Sequence, residues 1–502
     1  MRLCKTHTAT LHGIKAIPVE VQVHLAAGMP GFHIVGLADI AVKESARRVV
    51  SALKTCGFSI PQGQITVNLA PGTLPKHGVG FDLPIALAIL IAEGHIDTRV
   101  IENAIVVGEL GLDGAVSTVR GLVGYALLAR ERGQRLICAD ATQLDGLIQL
   151  DVTEATSLND FRCALSTRTT GRYVPSVDGS RNLPVDGGRR RDFIDVIGQE
   201  QAVRALTVAA AGQHNILMIG PPGTGKTMLA SRLPGILPEL ENEELIETAL
   251  VSSVGGIDFD TRSRQRPFRA PHHSATCAGI VGGGHPITPG EVSFAHNGVL
   301  FLDEMPQFGA GTLQSLRQPI EDGKITIVRA TEAVNFPARV MLVGAANPCP
   351  CGYLGDGKRS CRCLPDQVER YQQRVGGPIM DRFDMVISVT RPDTETFFAG
   401  TGSTGSAELA VQVAAARRMQ KQRGLGPNRL LSRRELTSDT VTSHEALLFC
   451  KRAAARLNLS GRGIVRVLRL ARTIADMAES DCSEEEHIAE ALSYRGDWYN
   501  HA

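Results

Sequence analysis

The sequence predicts a multidomain α/β protein whose central part is a parallel sheet covered by helices. The chain has 502 residues, more than one hydrophobic core usually serves, so about two to four domains are expected. Short apolar runs alternate with helical stretches through residues 192–392, the pattern of a parallel α/β sheet. Residues 393–502 contain few strand-like runs and are mostly helical in pattern.

Pattern changes along the chain predict four segments. Residues 19–25 and 64–69 alternate as half-buried strands do, whereas residues 84–91 are typical of a buried helix. A stretch rich in turn-forming residues and without an apolar period separates this part from the next. The expected segments are an N-terminal domain at residues 1–165, a linker at 166–191, a sheet-containing core at 192–392 and a helical lid at 393–502.

Bulk composition excludes several classes of protein. The formal net charge is +1, so a basic surface for nucleic acid would have to be local, in a groove or a pore. The longest apolar run near the start, residues 83–92, is too short to span a bilayer. The first residues lack the apolar segment of a secretory signal. A cytoplasmic protein without a membrane partner is therefore expected.

A phosphate-binding loop is the most specific motif in the chain. An apolar run at residues 215–219, predicted to be a buried strand, leads directly into the loop, and a helix is predicted after it. In such a loop, glycines let backbone N–H groups close around phosphates, the lysine reaches the β- and γ-phosphates, and the hydroxyl ligates Mg²⁺. The loop residues are Gly220, Pro221, Pro222, Gly223, Thr224, Gly225, Lys226 and Thr227.

Polar side chains at the ends of two further predicted strands would complete a hydrolytic site. Residues 299–302 form an apolar run that ends in Asp303 and Glu304. Ligands of open α/β sheets bind at the carboxyl ends of the strands. Asp303 is therefore expected to hold Mg²⁺ through water, and Glu304 to orient and deprotonate the attacking water. A third strand, residues 340–345, ends near Asn347, whose amide could position that water.

Four of the eleven cysteines lie within fifteen residues, whereas the others are scattered singly. Two C-x-C pairs joined by a loop with almost no apolar residues predict a structural Cys₄ zinc site. Free thiols or a redox-labile pair are the alternatives. The predicted zinc ligands are Cys349, Cys351, Cys361 and Cys363.

Several motifs together resemble those of the magnesium-chelatase-like AAA+ ATPases, and in particular the ComM/YifB group. They are residues 192–199, the phosphate-binding loop, Arg269-Ala270-Pro271-His272-His273-Ser274, and residues 290–293 before the Asp303 strand. The resemblance covers essentially the whole chain. It implies ATP as the nucleotide and a ring, usually a hexamer, in which a neighbouring subunit completes each site.

Individual residue roles follow from the same resemblance. Arg382 matches the arginine finger of the family, with Arg370 and Arg374 as nearby alternatives. Arg462 matches sensor 2 in the helical lid. A surface arginine paired with a carboxylate is the plain structural alternative for each of them.

Residues 321–336 are similar to the presensor-1 hairpin of MCM helicases, in which a basic tip residue points into the ring pore. Here that residue is Arg329, with Lys324 at the base of the first strand. One cation per subunit, repeated around a ring, is enough to grip a phosphate backbone. DNA contact is therefore expected, with plain sheet-edge structure as the alternative. Residues 282–290 resemble the helix-2 insert of the same clade and are a candidate second pore loop.

The N-terminal domain resembles the Lon-protease domain, an α+β fold of the ribosomal S5 type. The position of the Lon serine is Gly80 here, and that of the Lon lysine is Val123. Without a nucleophile or a base, a Ser–Lys peptidase mechanism has no chemistry to run, so a structural or assembly role is expected. Five basic residues are expected to form a solvated face rather than a DNA contact: Lys43, Arg47, Arg48, Lys76 and His77.

These expectations favour a hexameric ATPase that moves on DNA or branch-migrates it, in recombination and natural transformation. The transformation role depends on the resemblance alone. A chelatase-type ATPase that remodels a protein partner and an ATP-switched assembly module remain as alternatives. An ATP-dependent protease is disfavoured by Gly80 and Val123.

Overall fold

The computed structural model describes residues 2–162, 167–169, 191–329, 332–392, 404–424 and 426–496, together with Glu395 and Phe398. Two large sheets organise these residues. An eight-stranded mixed sheet is formed by the N-terminal part, and a five-stranded sheet lies in the central part. The carboxyl-terminal part is helical. The predicted fold class, a mixed α/β chain with a parallel sheet and a helical end, is confirmed at this level.

The N-terminal sheet has the strand order β10-β9-β8-β5-β1-β2-β4-β3. Two helices pack on one face of it, and a third packs on the opposite face. The strands are β1 (Arg2–His12), β2 (Lys15–Ala26), β3 (Gly31–Val35), β4 (Gln64–Ala70), β5 (Ala104–Val106), β8 (Arg135–Cys138), β9 (Asp151–Glu154) and β10 (Thr167–Thr169), with a separate pair, β6 (Glu109–Leu110) and β7 (Val116–Ser117). The helices are α1 (Ile40–Thr55), α2 (Asp82–Glu93) and α3 (Leu122–Glu131).

Hydrophobic patterning explains these elements. In β2 and β4, buried residues alternate with half-buried ones, as the two-residue period of a strand requires when one face meets a core. Helix α2 is buried on nearly every side, which agrees with its continuous apolar sequence. Helix α1 begins after Asp39, whose carboxylate accepts a hydrogen bond from the Val42 amide at 2.8 Å and so caps the helix.

The N-terminal sheet continues into the stretch predicted to be a linker. Residues 167–169 form β10, which pairs antiparallel with β9. Arg168 fixes this edge strand, because its guanidinium lies 2.9 Å from carboxylate oxygens of both Asp145 and Glu154. Residues 167–169 therefore belong to the sheet. Most of the predicted linker, residues 170–190, lies outside the described residues.

The expected solvated basic face is wrong for two of its five members. Lys76 is completely buried, and its ammonium donates to the carbonyl of Pro71. Arg48 is mostly buried and pairs with the buried carboxylate of Asp82 at 2.6 Å. Lys43 and Arg47 are exposed, as predicted. A local sequence pattern cannot reveal these two burials, because the partners lie on other segments of the chain.

The central sheet has the order β12-β15-β18-β11-β19, and all four of its strand pairs are parallel. Its strands are β11 (Ile216–Ile219), β12 (Phe268–Arg269), β15 (Val299–Leu302), β18 (Met341–Ala346) and β19 (Met385–Ser388), and the short two-stranded ladders are β13 (Gly282–Gly283) with β14 (Thr288–Pro289) and β16 (Lys324–Arg329) with β17 (Glu332–Pro337). The helices are α4 (Glu200–Gly212), α5 (Lys226–Ala230), α6 (Asn242–Gly255), α7 (Cys277–Val281), α8 (Glu291–Phe294), α9 (Ala310–Ser315), α10 (Arg317–Asp322), α11 (Pro365–Gln373) and α12 (Gly377–Met380).

Both faces of the central sheet are covered. All residues of β11, β15 and β18 are buried, as expected for parallel strands between two layers of helices. One face packs against α4 and the helical end of the chain. The other face packs against the helices between β12 and β19.

The β16–β17 hairpin packs at its base against the N-terminal part. Val334 and Phe336 of β17 are buried and pack with Leu11, near the end of β1, and with Ile14, in the turn between β1 and β2. Gly13 lies in that turn, and a Cβ added to it would come within 2.9 Å of the Val334 side chain. The predicted pair of strands is present, whereas residues 330–331 at its tip lie outside the described residues.

The helical end is held by a buried ionic cluster. Its helices are α13 (Ser406–Arg423), α14 (Arg433–Leu436), α15 (His444–Arg456), α16 (Gly461–Met477) and α17 (Glu485–Ser493). In α16, Arg472 and Asp476 are both fully buried and lie 2.9 Å apart, and Arg423 at the end of α13 donates to the same carboxylate at 2.7 Å. Asp476 thus joins the two longest helices of this part.

None of the described helices has both the length and the apolar composition needed to cross a bilayer.

We expect D476N to lower the free energy of unfolding by about 3 kcal/mol, because it leaves the buried Arg472 and the partly buried Arg423 without their carboxylate. Chemical denaturation followed by circular dichroism measures this change. D97N is the matched control, since it removes the carboxylate of the exposed Asp97–Arg99 pair, and it should leave the denaturation midpoint unchanged. Equal midpoints for D476N and the wild type would contradict the structural role of the cluster.

Candidate functional site

The predicted phosphate-binding loop leaves the carboxyl end of β11 and enters α5. Gly223 and Gly225 have positive φ angles of 78° and 83°, a conformation that favours glycine. Gly220 approaches the neighbouring segment so closely that an added Cβ would lie 2.1 Å from the carbonyl oxygen of Val389. The loop therefore curls tightly at the start of α5, with its amides available to an anion.

Lys226 is mostly buried and is held over the loop. Its ammonium donates to the carbonyls of Gly220 at 2.7 Å and Pro221 at 3.0 Å, and to the amide oxygen of Asn347 at 3.2 Å. Burial lowers the pKa of Lys226 to about 8, although Asp303 and Glu304 partly oppose the change. A phosphate group would restore the charge that burial disfavours.

Thr227 and Asp303 meet across the sheet. The Thr227 hydroxyl donates to a carboxylate oxygen of Asp303 at 2.6 Å, and the Glu304 amide donates to the other oxygen at 2.9 Å. Hydroxyl and carboxylate oxygens are the ligands that Mg²⁺ prefers, so this pair fits the ion. Glu304 itself is exposed and has a positive φ of 48°, a strained conformation of the kind found at functional sites.

The cysteine cluster fits a tetrahedral metal. The four sulfur atoms of Cys349, Cys351, Cys361 and Cys363 lie within 4.8 Å of one another, and the closest pairs are 3.3 and 3.6 Å apart. Zinc–sulfur bonds of about 2.3 Å place sulfurs at similar separations. Although burial opposes it, backbone N–H groups of Arg362 and Tyr353 lower the pKa of the Cys351 thiol to about 6. Burial raises the pKa of the Cys349 and Cys363 thiols, so a metal ion would be needed to favour the thiolate at those two positions.

This cysteine knuckle abuts the phosphate-binding loop. A Cβ on Gly352 would lie 2.6 Å from the ring of Pro222, so the backbone of Gly352 lies close against that ring. Arg391, which follows β19, donates to the Pro222 carbonyl at 3.1 Å, and its guanidinium lies 5.9 Å from the ring centroid of Tyr353 in the knuckle. The knuckle, the loop and Arg391 therefore support one another.

Arg382 and Arg462 lie near the amino end of β19, whereas the phosphate-binding loop follows the carboxyl end of β11. Arg382 precedes β19, and its carbonyl accepts a hydrogen bond from Asn215, just before β11, at 2.7 Å. Its guanidinium is 9% exposed and lies 2.5 Å from Glu321. Arg462 is exposed at the start of α16, 4.0 Å from Asp381. The structure thus does not bring either arginine to the loop of its own chain. The alternatives are also exposed: Arg370 lies on α11, and Arg374 directly follows it.

The predicted DNA-contacting residues lie on the hairpin. Lys324 begins β16 and Arg329 ends it, and both side chains are exposed. Val328, beside Arg329, is 72% exposed. An exposed strand pair with a cation at each end of one strand is compatible with a polyanionic partner.

The positions that match the Lon serine and lysine carry neither a nucleophile nor a base here, since they are Gly80 and Val123. Gly80 and Val123 are both buried, and a Cβ on Gly80 would lie 3.1 Å from Val107 and 3.5 Å from the Tyr125 hydroxyl. The neighbouring packing thus leaves little room for a larger side chain. Gly80 borders a cavity of about 350 Å³ that residues 285–288 and Val334 also line.

Sequence reasoning missed three residues near the site. Gln199 donates to the carbonyl of Thr224 in the loop at 2.6 Å, Arg391 contacts Pro222, and His273 lies 3.8 Å from Glu304. Gln199 and His273 belong to motifs that the sequence singles out, but the motifs did not indicate what these two residues contact. Arg391 had no local signal, because only the sheet brings it to the loop.

Comparison with known proteins agrees with this geometry. Family models described as "Subunit ChlI of Mg-chelatase", "Magnesium chelatase, subunit ChlI" and "Magnesium chelatase, subunit ChlI C-terminal" match residues 21–142, 192–397 and 403–495. The protein YifB of Escherichia coli is 42% identical over 99% of this chain and 97% of its own. The competence protein ComM of Haemophilus influenzae is 41% identical over 99% of this chain and 98% of its own.

The chain belongs to the ComM/YifB family of magnesium-chelatase-like AAA+ proteins. The predicted resemblance is therefore confirmed. A more distant similarity, 26% identity over 47% of this chain and 47% of the relative, links it to Lon protease 2 of Bacillus subtilis. Membership in this family makes the chain an ATP-binding protein of AAA+ type.

We expect ATP binding to weaken with rising pH because of Lys226. Its folded-state pKa is lowered to about 8, so the cation that phosphate needs is present below that pH and is lost above it. Affinity should fall up to about tenfold per pH unit above 8, measured by calorimetry between pH 7 and 9.5. K226R, which stays protonated throughout, should show a nearly flat profile. A flat wild-type profile would contradict the assignment.

We expect the purified protein to carry about one zinc ion per chain, held by the four thiolates. C361S should lose the metal, measured by elemental analysis, and should bind ATP more weakly because the knuckle supports Pro222. C277S changes a cysteine that lies outside the cluster and is exposed, and it should keep both metal and affinity. Full metal content in C361S would show that the cluster is not the binding site.

Proposed function

We propose that this protein is an ATP-hydrolysing AAA+ motor that assembles as a hexamer and acts on DNA by branch migration or helicase activity. One observation carries the proposal. The exposed hairpin with Arg329 lies in the chain between β15 and β18, the strands that Asp303 and Asn347 of the candidate phosphate site follow. The name of the relative ComM supports a role in competence, and so in recombination during natural transformation.

Hydrolysis would follow from the groups around the loop. Loop amides and Lys226 would bind the β- and γ-phosphates, and Thr227 with Asp303 would hold Mg²⁺, which supplies charge neutralisation at the phosphates. Glu304 would accept a proton from the attacking water, and Asn347, whose amide oxygen lies 3.2 Å from the Lys226 ammonium, would help to orient that water. These roles fall to residues of one chain.

A ring would complete the site with residues from the next copy. Arg382 stands at the amino end of β19, whereas the phosphate-binding loop follows the carboxyl end of the adjacent parallel strand β11. Arg382 therefore cannot serve its own nucleotide. We assign it, with Arg462, to the nucleotide of a neighbouring subunit, where cations would stabilise the charge that develops on the transferred phosphoryl group. Arg382 would first have to leave Glu321.

The hairpin supplies the proposed DNA contact. Arg329 and Lys324 are exposed. Glu321, which pairs with Arg382, lies in the last turn of α10, just before the hairpin begins. A neighbour's nucleotide that draws Arg382 away would release Glu321 at the base of the hairpin. Hydrolysis and hairpin movement would then be coupled through one ion pair.

Zinc in the knuckle would be structural. Four cysteine ligands leave no open position for catalysis. Because Gly352 lies against Pro222, a rigid knuckle would support the phosphate-binding loop. The N-terminal domain would likewise have no peptidase activity, because Gly80 and Val123 offer neither nucleophile nor base. Its contact with the hairpin base supports an assembly role.

A chelatase-type ATPase that remodels a protein partner is the second candidate, because the matching family models carry the chelatase name. The two functions differ in their response to DNA. We therefore expect DNA to stimulate ATP hydrolysis by the wild type and ring-shaped particles to form with ATP. E304Q should bind ATP without hydrolysing it.

We expect R329A to keep basal ATPase activity but to lose DNA stimulation, because it removes the cation at the tip of the hairpin from every subunit. Binding of single-stranded DNA should lose about four units of slope in a plot of log affinity against log salt, from about six lost phosphate contacts. Fluorescence anisotropy over a salt series measures this slope.

R452A is the matched control, since Arg452 is an exposed arginine on α15 away from the hairpin, and it should behave as the wild type. Wild-type ATPase that ignores DNA, together with failure to move forked or four-way junctions, would overturn the DNA function and favour the chelatase-type alternative.

A further inference from the structure

The cavity beside Gly80 lies where the N-terminal part of the chain meets the central part. Both parts contribute to its lining, with residues 77–80, 118–120 and Tyr125 from the first and Val254, residues 285–288 and Val334 from the second. None of these residues belongs to the proposed nucleotide site. The volume of about 350 Å³ lies within the range of small-molecule sites, about 300–1,000 Å³, so the cavity is large enough for an organic ligand.

The hydroxyl of Tyr125 faces this cavity without a partner. Tyr125 lies in α3 and is only 4% exposed. A Cβ added to Gly80 would lie 3.5 Å from the hydroxyl oxygen, so the hydroxyl is directed to the Gly80 side, where the cavity opens. Within the described ranges of the chain no group forms a hydrogen bond with it, although buried tyrosine hydroxyls usually have such a partner. Burial raises the pKa of Tyr125, so the hydroxyl keeps its proton and can donate to a ligand.

Two side chains of opposite charge, Glu109 and Arg120, also line the cavity. The β6–β7 register pairs Glu109 with Ser117, and Arg120 follows three positions later. Arg120 lies close to the end of α6, since a Cβ on Gly256 would come within 3.0 Å of its Nε. Neither charge forms an ion pair with a side chain that the structure describes, although Glu109 contributes at longer range to the raised pKa of Arg48. Both charges are therefore available to a ligand.

Much of the remaining lining is apolar. Leu11, Val254, Ile287 and Val334 line the cavity and belong to one hydrophobic cluster, so an apolar group placed beside them would be removed from water, which favours binding.

These features together exclude the simplest ligands. An inorganic anion would be repelled by the carboxylate of Glu109 and would not use the apolar wall. A purely apolar molecule would leave the Tyr125 hydroxyl and both charges without partners, which is unfavourable for groups taken out of water. The lining therefore matches a molecule with one positive group, one negative group and an apolar side chain.

We propose that this cavity is a binding site for a zwitterion with an apolar side chain, either a free amino acid or a short peptide. Its ammonium group would face Glu109, its carboxylate would face Arg120, and the Tyr125 hydroxyl would donate to one of its oxygen atoms. The inference goes beyond the proposed function, because binding needs neither ATP nor DNA. A bound ligand would contact the N-terminal part, the insert and the hairpin at once, and would hold them together.

The test titrates the purified full-length protein with L-leucine and with trileucine by isothermal titration calorimetry. At least one probe should bind saturably. Y125F, which removes only the hydroxyl, should weaken that binding about fivefold, and R120A should weaken it by a similar factor. R132A is the matched control, since Arg132 is exposed just after α3 and does not line the cavity, and it should bind as the wild type does.

The two probes distinguish the sources of the ligand. Tighter binding of trileucine would identify a peptide site, and binding of L-leucine without a gain for trileucine would identify an amino-acid site. N-acetyl-leucinamide has the same side chain but neither charge, so it should not bind, and equal binding of it would overturn the zwitterion.

Absence of binding by both probes at millimolar concentration would also overturn the proposal, as would wild-type affinity in both Y125F and R120A. Because Tyr125 is buried, the melting temperature of Y125F shows whether that variant is folded, and R120A changes an exposed side chain and gives an independent result. Failure of the ATPase or DNA predictions would leave all of these measurements unchanged.

Discussion

The central sheet depends on one constraint: its strands are parallel and paired in register, so the residues that follow them must meet at one edge. Thr227 and Asp303 are 76 positions apart in the chain but form a hydrogen bond of 2.6 Å. Lys226 and Asn347 meet for the same reason, at 3.2 Å. Buried apolar strands of four to six residues hold this register, since a slip would move every side chain to the wrong position. The geometry of the site is thus a product of core packing.

The same constraint separates the two ends of the strands. Groups that suit phosphate and Mg²⁺ lie at the carboxyl ends, whereas Arg382 and Arg462 lie near Asp381 at the amino end of β19. These arginines are separated from the phosphate-binding loop of their own chain by the length of a strand. They can therefore contact phosphate only if the amino ends of the strands in one copy face the carboxyl ends in the next copy. The arrangement therefore links the proposed chemistry to the proposed ring, and neither is complete without the other.

Sequence patterns predicted the strands and helices that consecutive residues form. The strands at residues 19–25, 64–69 and 299–302, the buried helix at 84–91 and the hairpin are all visible as periodicity or as apolar runs. Contacts between distant segments were beyond such patterns. Lys76 is buried by the loop that contains Pro71, and β10 is held by Arg168. Likewise, the motif around His273 marked a segment, but only the pairing of β12 with β15 brings it to Glu304.

The position of the cysteine knuckle is best explained by what the phosphate-binding loop lacks. The loop has to bend tightly and expose its amides, so Pro222 and Gly223 are exposed and have little apolar contact to hold them. A knuckle whose cysteines can share one metal ion needs no apolar core of its own. Gly352 lies against Pro222, and Arg391 holds the Pro222 carbonyl, so a metal ion at the sulfurs would stiffen the phosphate-binding loop as well. The tip of the loop would then be fixed without covering the space that a nucleotide needs.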